Sequence, residues 1–166
     1  AFYEHINCDV LKARAEQEGF NKVVTRLAVA GYKAPRTVQM SGKAAAPLWA
    51  KRGVIAGCGF ATTFVKVFYS TPLKNFAKRN PGVTVDAYID DLTLAASGKS
   101  EKEVEVILVK ATKDLEHVIR HELGCEIAKE KSAVVGSSEG LAQRIADQAQ
   151  SIGAVAKSAA ASLGVD

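Results

Sequence analysis

The stretch VTVDAYIDDLTLAASG, residues 83–98, sets two adjacent aspartates, Asp90 and Asp91, in the middle of an apolar run with strand character. Side chains alternate along a strand. Val83, Val85, Ala87 and Ile89 therefore face one side, and Thr84, Asp86, Tyr88 and Asp90 the other. The first set reads as buried against a helix, while the second projects Asp90 into a cleft. Past a tight turn, Leu92 and Leu94 rejoin the core. Two carboxylates about 4 Å apart repel by roughly 4 kcal/mol at an effective dielectric near 20. Desolvation in an apolar hairpin disfavours the charged forms further. One aspartate then keeps a proton, or a hard divalent cation binds both; magnesium suits oxygen ligands and phosphates. The plainer alternative is a polar turn tip without chemistry.

Helices surround this hairpin in the sequence. Cys8 to Glu18 reads as a helix closed by Gly19, and Asn21 to Ala30 as a second that stops at Gly31. Residues 36–43 alternate and end in a Ser41-Gly42 turn, and residues 46–53 follow, which reads as a β-hairpin. Gly57 and Gly59 introduce a helix over Phe60 to Tyr69. Thr71-Pro72 marks a new helix start, ended by the Asn80-Pro81-Gly82 turn. Beyond the quoted stretch, Ser100 and Glu103 make a capping box for a long helix to Leu123, with Gly124 as its stop. Val104, Ile107, Leu108, Ala111, Leu115 and Val118 share one of its faces. A short strand over 132–136, a helix from Glu139 and a last strand to Val165 complete the order. The mixture predicts an α+β fold, an antiparallel sheet with helices packed on one face.

The chain has 166 residues, 48% hydrophobic and 24% charged, which predicts a folded domain rather than a disordered one. Its longest central uncharged run, Gly53 to Val65, is too short and glycine-rich to span a bilayer, so no membrane partner is expected. Cys8, Cys58 and Cys125 show neither pairing nor metal-ligand spacing, which fits a reducing, intracellular setting, nucleus or cytoplasm. From Gly19 to Val85 there are eleven basic residues and no acidic one, and all 18 carboxylates lie elsewhere. A one-signed block of that length is either a solvated basic face or the footprint of a polyanion. His117 and His121 have the spacing of a metal pair. No glutamate follows the first of them as in His-Glu-x-x-His, and they share a polar face with Lys113 and Asp114, so they read as solvated surface.

Tyr88-Ile89-Asp90-Asp91, between two apolar strands, resembles the Tyr-x-Asp-Asp motif of reverse transcriptases. Further matches follow in the family's order. AFYEHI (1–6) resembles the tail of the first palm motif, whose metal-binding aspartate precedes an Ala-Phe/Tyr pair. RGVIAGC (52–58) is similar to the second, with its glycine before a helix. LGCEIAKEKS (123–132) is similar to the fourth, and SLGVD (162–166) to the primer-grip strand. The non-LTR retrotransposon and group II intron branch is the nearer likeness.

The resemblance implies part of a polymerase palm: one segment, 1–166, cut from a longer polyprotein at both ends, with about 137–166 leading toward the thumb. It implies an RNA-directed DNA polymerase, a nucleotidyltransferase using an RNA template, a DNA primer, dNTP and two magnesium (or manganese) ions. Asp90 and Asp91 become the catalytic, metal-binding carboxylates. Phe2 matches the steric gate against a ribose 2′-hydroxyl; a core aromatic at a helix start is its alternative. Gly57 matches the glycine that lets backbone approach nucleotide and template, and Tyr88 belongs to the nucleotide site. Lys131 matches the fourth-motif lysine beside the triphosphate; a surface lysine is its alternative. Lys51 and Arg52 fall where nucleic acid is contacted. The partner aspartate of the first motif falls before Ala1, so the segment alone is expected to be inactive. Asp86 is about 13 Å along the strand from Asp90 at 3.3 Å per residue, too far to replace it. Ala56 stands where a glutamine is usual. Two rivals remain: an RNA-dependent RNA polymerase, usually Gly-Asp-Asp at the third motif, and a non-catalytic RNA-binding remnant.

Overall fold

The computed structural model describes residues 2–159. Helix and strand are mixed in an α+β arrangement, and the chain divides into two compact units, residues 1–71 and 72–166. Among the described residues the strands form three separate two-stranded ribbons, two antiparallel and one parallel, where the sequence predicts a single antiparallel sheet. No helix among the described residues is long and apolar enough to cross a membrane.

The first unit holds α1 (Phe2–His5), α2 (Cys8–Gln17), α3 (Lys22–Lys33), β1 (Gln39–Met40), β2 (Lys43–Ala44) and the start of α4 (Ala61–Arg79). Asn7 and Asn21 cap α2 and α3, each accepting two backbone N–H groups on its side-chain oxygen. Gly19 ends α2 as expected, at φ +74°. Gly31 does not end α3; the helix continues to Lys33 and breaks where Ala34, forced extended by Pro35, takes φ −62° and ψ 145°. Ile6, Leu11, Ala15, Phe64, Val65 and Phe68 are fully buried. Phe64 is the hub, with its ring centroid 5.4 Å from Phe20 and 6.1 Å from Tyr32.

The two helices expected around Pro72 are one, with Pro72 inside α4. Proline there has no N–H for the Phe68 carbonyl four residues back. The Arg14 guanidinium donates to that carbonyl and lies 4.8 Å from the centroid of the Phe68 ring. A helix start therefore is not needed to explain the proline, because a side chain from α2 takes over the acceptor the proline leaves unused.

The second unit holds the remainder of α4, β3 (Thr84–Tyr88), β4 (Asp91–Ala95), α5 (Glu101–His117), β5 (Ala133–Val134), α6 (Glu139–Gln148) and β6 (Val155–Ala156). A π-helical turn, Val118–Glu122, extends α5 to Leu123 and Gly124, where the sequence places its end. Ser100 accepts the Glu103 N–H as predicted, but Glu103 reaches back to the N–H of Lys99 rather than Ser100. β4 packs against α5, α5 against α6, and α6 against the parallel β5–β6 pair. Val109, Leu141 and Ile145 form the centre of that packing, with Val104, Leu108 and Val134 around them. Arg144 ties the helices by bonding Glu101 and Glu105, both at 2.8 Å. A short strand forms at Val155–Ala156; the end of the last strand expected to run to Val165, and residues 162–166 matched to the primer grip, lie outside the described residues. β6 is delivered by Gly153 at φ +71°, where a Cβ would come within 2.5 Å of Lys129.

Asn80 closes α4 from inside the core. Its amide donates to Phe76 and, at 2.6 Å, to Asp114, which also receives two bonds from Arg79 at 3.1 Å. Burial works against charge on Asp114, but the bonds from Arg79 and Asn80 and the Arg79 charge outweigh it, holding the carboxyl below its usual range.

Two measurements test these supports. In urea denaturation, Arg14→Ala is expected to destabilise by about 1–2 kcal/mol, and by less in a Pro72→Ala background, where a backbone N–H again serves Phe68. A coupling near zero contradicts the substitution of roles. A carboxyl with a depressed folded pKa stabilises above its unfolded value and loses that contribution as pH falls through the folded one. Asp114→Asn should therefore lower stability at neutral pH, with the difference shrinking below about pH 4. A difference that stays constant down to low pH refutes the assignment.

Candidate active site

β3 and β4 pair antiparallel through Thr84↔Ala95, Val85↔Leu94, Asp86↔Thr93, Ala87↔Leu92 and Tyr88↔Asp91. Facing residues on an antiparallel pair share a side. Val85, Leu92 and Leu94 are accordingly half-buried, with Val83 buried beyond them, as the alternation predicts, but Ala87, expected on the same buried face, is exposed near the end of the ribbon. Thr84, Asp86, Tyr88, Asp91 and Thr93 are exposed on the opposite face. β3 ends at Tyr88, so Asp90 does not continue the strand's outer face. It occupies the second position of a two-residue turn, Ile89-Asp90, and Asp91 opens β4. Asp91 rather than Asp90 shares a face with Asp86, and as diagonal neighbours across the ribbon they are about 7–8 Å apart.

The turn is strained. Ile89 has φ +54°, while Asp90 is not among the described residues with positive φ. Positive then negative is the sign pattern of a type II′ turn, which ordinarily takes glycine first. A β-branched residue there is a true outlier, worth about 1–3 kcal/mol of strain. By contrast, the β1–β2 hairpin closes on Ser41 and Gly42 at φ +50° and +76°, the more usual chemistry.

Asp90 and Asp91 are exposed and engaged by no hydrogen bond or ion pair among the described residues. Adjacent free carboxylates at a fixed turn are oxygen donors of the kind magnesium and manganese accept. Among the described residues no three His, Cys, Asp or Glu side chains are grouped to hold a metal. Tyr88, 64% exposed, stands beside the pair across from Asp91. Lys131 is exposed at the end of a 3₁₀ turn, Lys129–Lys131, a separate element of the same unit. His117 and His121 stack with centroids 4.7 Å apart on the exposed side of α5 and its π turn.

The other candidates belong to the first unit. The backbone of Phe2 opens α1, and its ring, matched to the gate, lies outside the described residues. Gly57 has φ +88°, which only glycine adopts freely, and a Cβ there would meet nothing within 4 Å. Lys51 and Arg52 are exposed in a bend that is pinned immediately afterwards: Gly53 donates to Ile6 at 2.8 Å and Val54 to Tyr3 at 2.9 Å.

One polar feature here was not legible in the sequence. Tyr32 donates to Cys58 Sγ at 3.2 Å, joining residues 26 apart. That bond, with backbone N–H groups of Phe60 and Ala61, holds the Cys58 thiol below its usual pKa, while burial pushes the Tyr32 hydroxyl up. No cysteine spacing could have announced it.

Comparison with protein-family models, with curated proteins and with solved structures gives no match in any of the three.

Glycine is normally worse than alanine in the middle of a strand by about 0.5–1 kcal/mol. At Ile89 the order should invert, with Ile89→Gly more stable than Ile89→Ala by about 1 kcal/mol in thermal or urea unfolding. Alanine equal to or better than glycine means that the turn does not hold a positive φ in solution.

Proposed function

We propose that this chain is the palm segment of an RNA-directed DNA polymerase from a retroelement, extending a DNA primer on an RNA template. The observation that carries the reading is the free, exposed Asp90–Asp91 pair fixed on a strained two-residue turn behind Tyr88. Strain at a defined turn points to a functional constraint, and the motif order along the sequence names which one. The acid-free basic stretch from Lys22 to Arg79 supports a polyanionic partner on independent grounds.

In this reading Asp90 and Asp91 would hold magnesium or manganese, which when bound supplies charge stabilisation for phosphoryl transfer. The hairpin's part is positional. Five register pairs and the contact of β4 with α5 keep both carboxylates at one edge of the ribbon. Tyr88 offers an exposed ring beside them. Gly57 leaves open backbone where a Cβ would otherwise stand, and Lys131 is a cation available to a triphosphate. Lys51 and Arg52 would meet phosphates of the nucleic acid, held in place by the pinned Gly53–Val54 backbone.

In the full parent protein, Asp90→Asn should lower dNTP incorporation on a primed RNA template by on the order of a hundredfold or more. Salt-sensitive binding of the same primer–template should stay within about twofold. Unchanged incorporation by the variant removes the metal role. A preference for ribonucleotides by the parent moves the assignment to an RNA-copying polymerase, and binding without any incorporation moves it to an RNA-binding remnant.

A further inference from the structure

Every residue from Ala34 to Trp49 is exposed, on both faces of the β1–β2 hairpin. Four of them are large and apolar: Val38 at 65% exposure, Met40 at 77%, Leu48 at 66% and Trp49 at 71%. A two-stranded ribbon without a covered face is marginally stable in water. This one is nevertheless ordered by its own backbone. Arg36 and Leu48 exchange bonds of 2.9 and 2.8 Å, Ala45 donates to Val38 at 2.9 Å, and Gln39↔Ala44 and Met40↔Lys43 close the tip. The register shifts by one residue between the tip and the Arg36–Leu48 bridge. The extra residue falls at Ala46-Pro47, where proline's missing N–H disturbs no ladder bond.

Charge decides what such a surface fits. Lys43, Lys51 and Arg52 are exposed, form no ion pair among the described residues, and have no acidic residue in sequence from Gly19 to Val85. Arg36 is tethered by a 3.1 Å bond to the Tyr32 carbonyl, which steadies the hairpin's base. An apolar partner surface alone would leave these cations facing one another, and a paired duplex would offer phosphates but no open ring faces. Unpaired bases on a phosphate backbone satisfy both: aromatic side chains stack on bases while cations follow the strand.

We infer that the Arg36–Arg52 hairpin is a docking platform for single-stranded nucleic acid, with Trp49 stacking on a base and Lys43, Lys51 and Arg52 meeting phosphates. This rests on the polymerase reading for the identity of the polyanion, and it assigns the single strand to a part of the chain separate from the Asp90–Asp91 hairpin.

Trp49 is the chain's single tryptophan, so its fluorescence reports on this site without ambiguity. Adding a single-stranded oligodeoxythymidylate to the 166-residue chain should quench Trp49 emission saturably, and less as salt rises. Replacing Lys51 and Arg52 together by alanine should flatten the salt dependence by about 0.7 units of slope for each cation lost. In fluorescence anisotropy with a labelled strand, Trp49→Ala should weaken binding by about tenfold while Trp49→Phe retains most of it. Circular dichroism of each variant separates lost binding from lost fold. The inference is overturned by any of four results: no saturable quenching, equal quenching by blunt duplex, a spectral change that depends only on protein concentration, or a blue shift with phosphatidylserine vesicles and none with the strand. Asp90→Asn should quench like the wild type. Asp90-dependent incorporation without Trp49 quenching sinks this platform alone. Quenching in a chain whose parent never incorporates dNTP sinks the catalytic reading and leaves the platform standing.

Discussion

Two antiparallel strands joined by two residues keep their twist only if the first of those residues takes a positive φ. In β3–β4 that residue is Ile89, and the strain is sustained by what lies on either side of it. Five register pairs run back from the turn, Val85, Leu92 and Leu94 turn inward, and β4 rests on α5. α5 is in turn capped by Ser100 and bound to α6 through Arg144. The position of Asp90 and Asp91 thus depends on packing throughout the second unit. A hairpin loosely attached to its helix would relax at Ile89 before anywhere else, because that is where relaxation releases about 1–3 kcal/mol.

Most elements could be read from local signals, and the misreadings share a physical cause. The Ser100 cap, the Gly19 and Gly124 stops and most of the inward face of α5 depend on neighbours within one or two turns, although Val109, buried at the centre of the packing, is not among the residues expected on that face. Pro72 and Gly31 misled because their consequences are settled by distant or competing groups. Arg14, far away in sequence, takes the carbonyl that Pro72 leaves without a donor. Gly31 costs α3 only about 1 kcal/mol, while the following Pro35 imposes a harder stop on Ala34. Sheet order was the least accessible property. Alternation locates strands but does not say which will pair, and the parallel β5–β6 contact depends on Gly153 passing so close to Lys129 that no side chain fits.

Asp90 and Asp91 fall at the tip of a hairpin, as the sequence leads one to expect, but the geometry around them was only partly legible. Alternation assigns the faces of β3 correctly up to Tyr88, then fails at Asp90, because a two-residue turn interrupts the period that the argument uses. The pairing of Asp86's face with Asp91 follows from register, which is set by turn length and invisible in a single strand. The Tyr32–Cys58 contact and the pinning of Gly53 against α1 join segments separated by 26 and 47 residues. Such contacts leave no local pattern.

The acids of the second unit fall into two groups. Glu101 and Glu105 are bridged by Arg144, Asp114 is held by Arg79 and Asn80, and Glu116 by Arg120 and Ser151. Asp86, Asp90 and Asp91 are exposed on one ribbon and, like the exposed Glu126, Glu130 and Glu139, have no such partner among the described residues. A turn needed only for connection would relieve its backbone with glycine or asparagine and keep a single polar residue at the tip. Here a strained isoleucine occupies the glycine position and two like charges follow it. Each feature alone is tolerable at a surface. Together they are unfavourable in the free protein, and a cation meeting both carboxylates, as the proposed function would have it, would offset that cost.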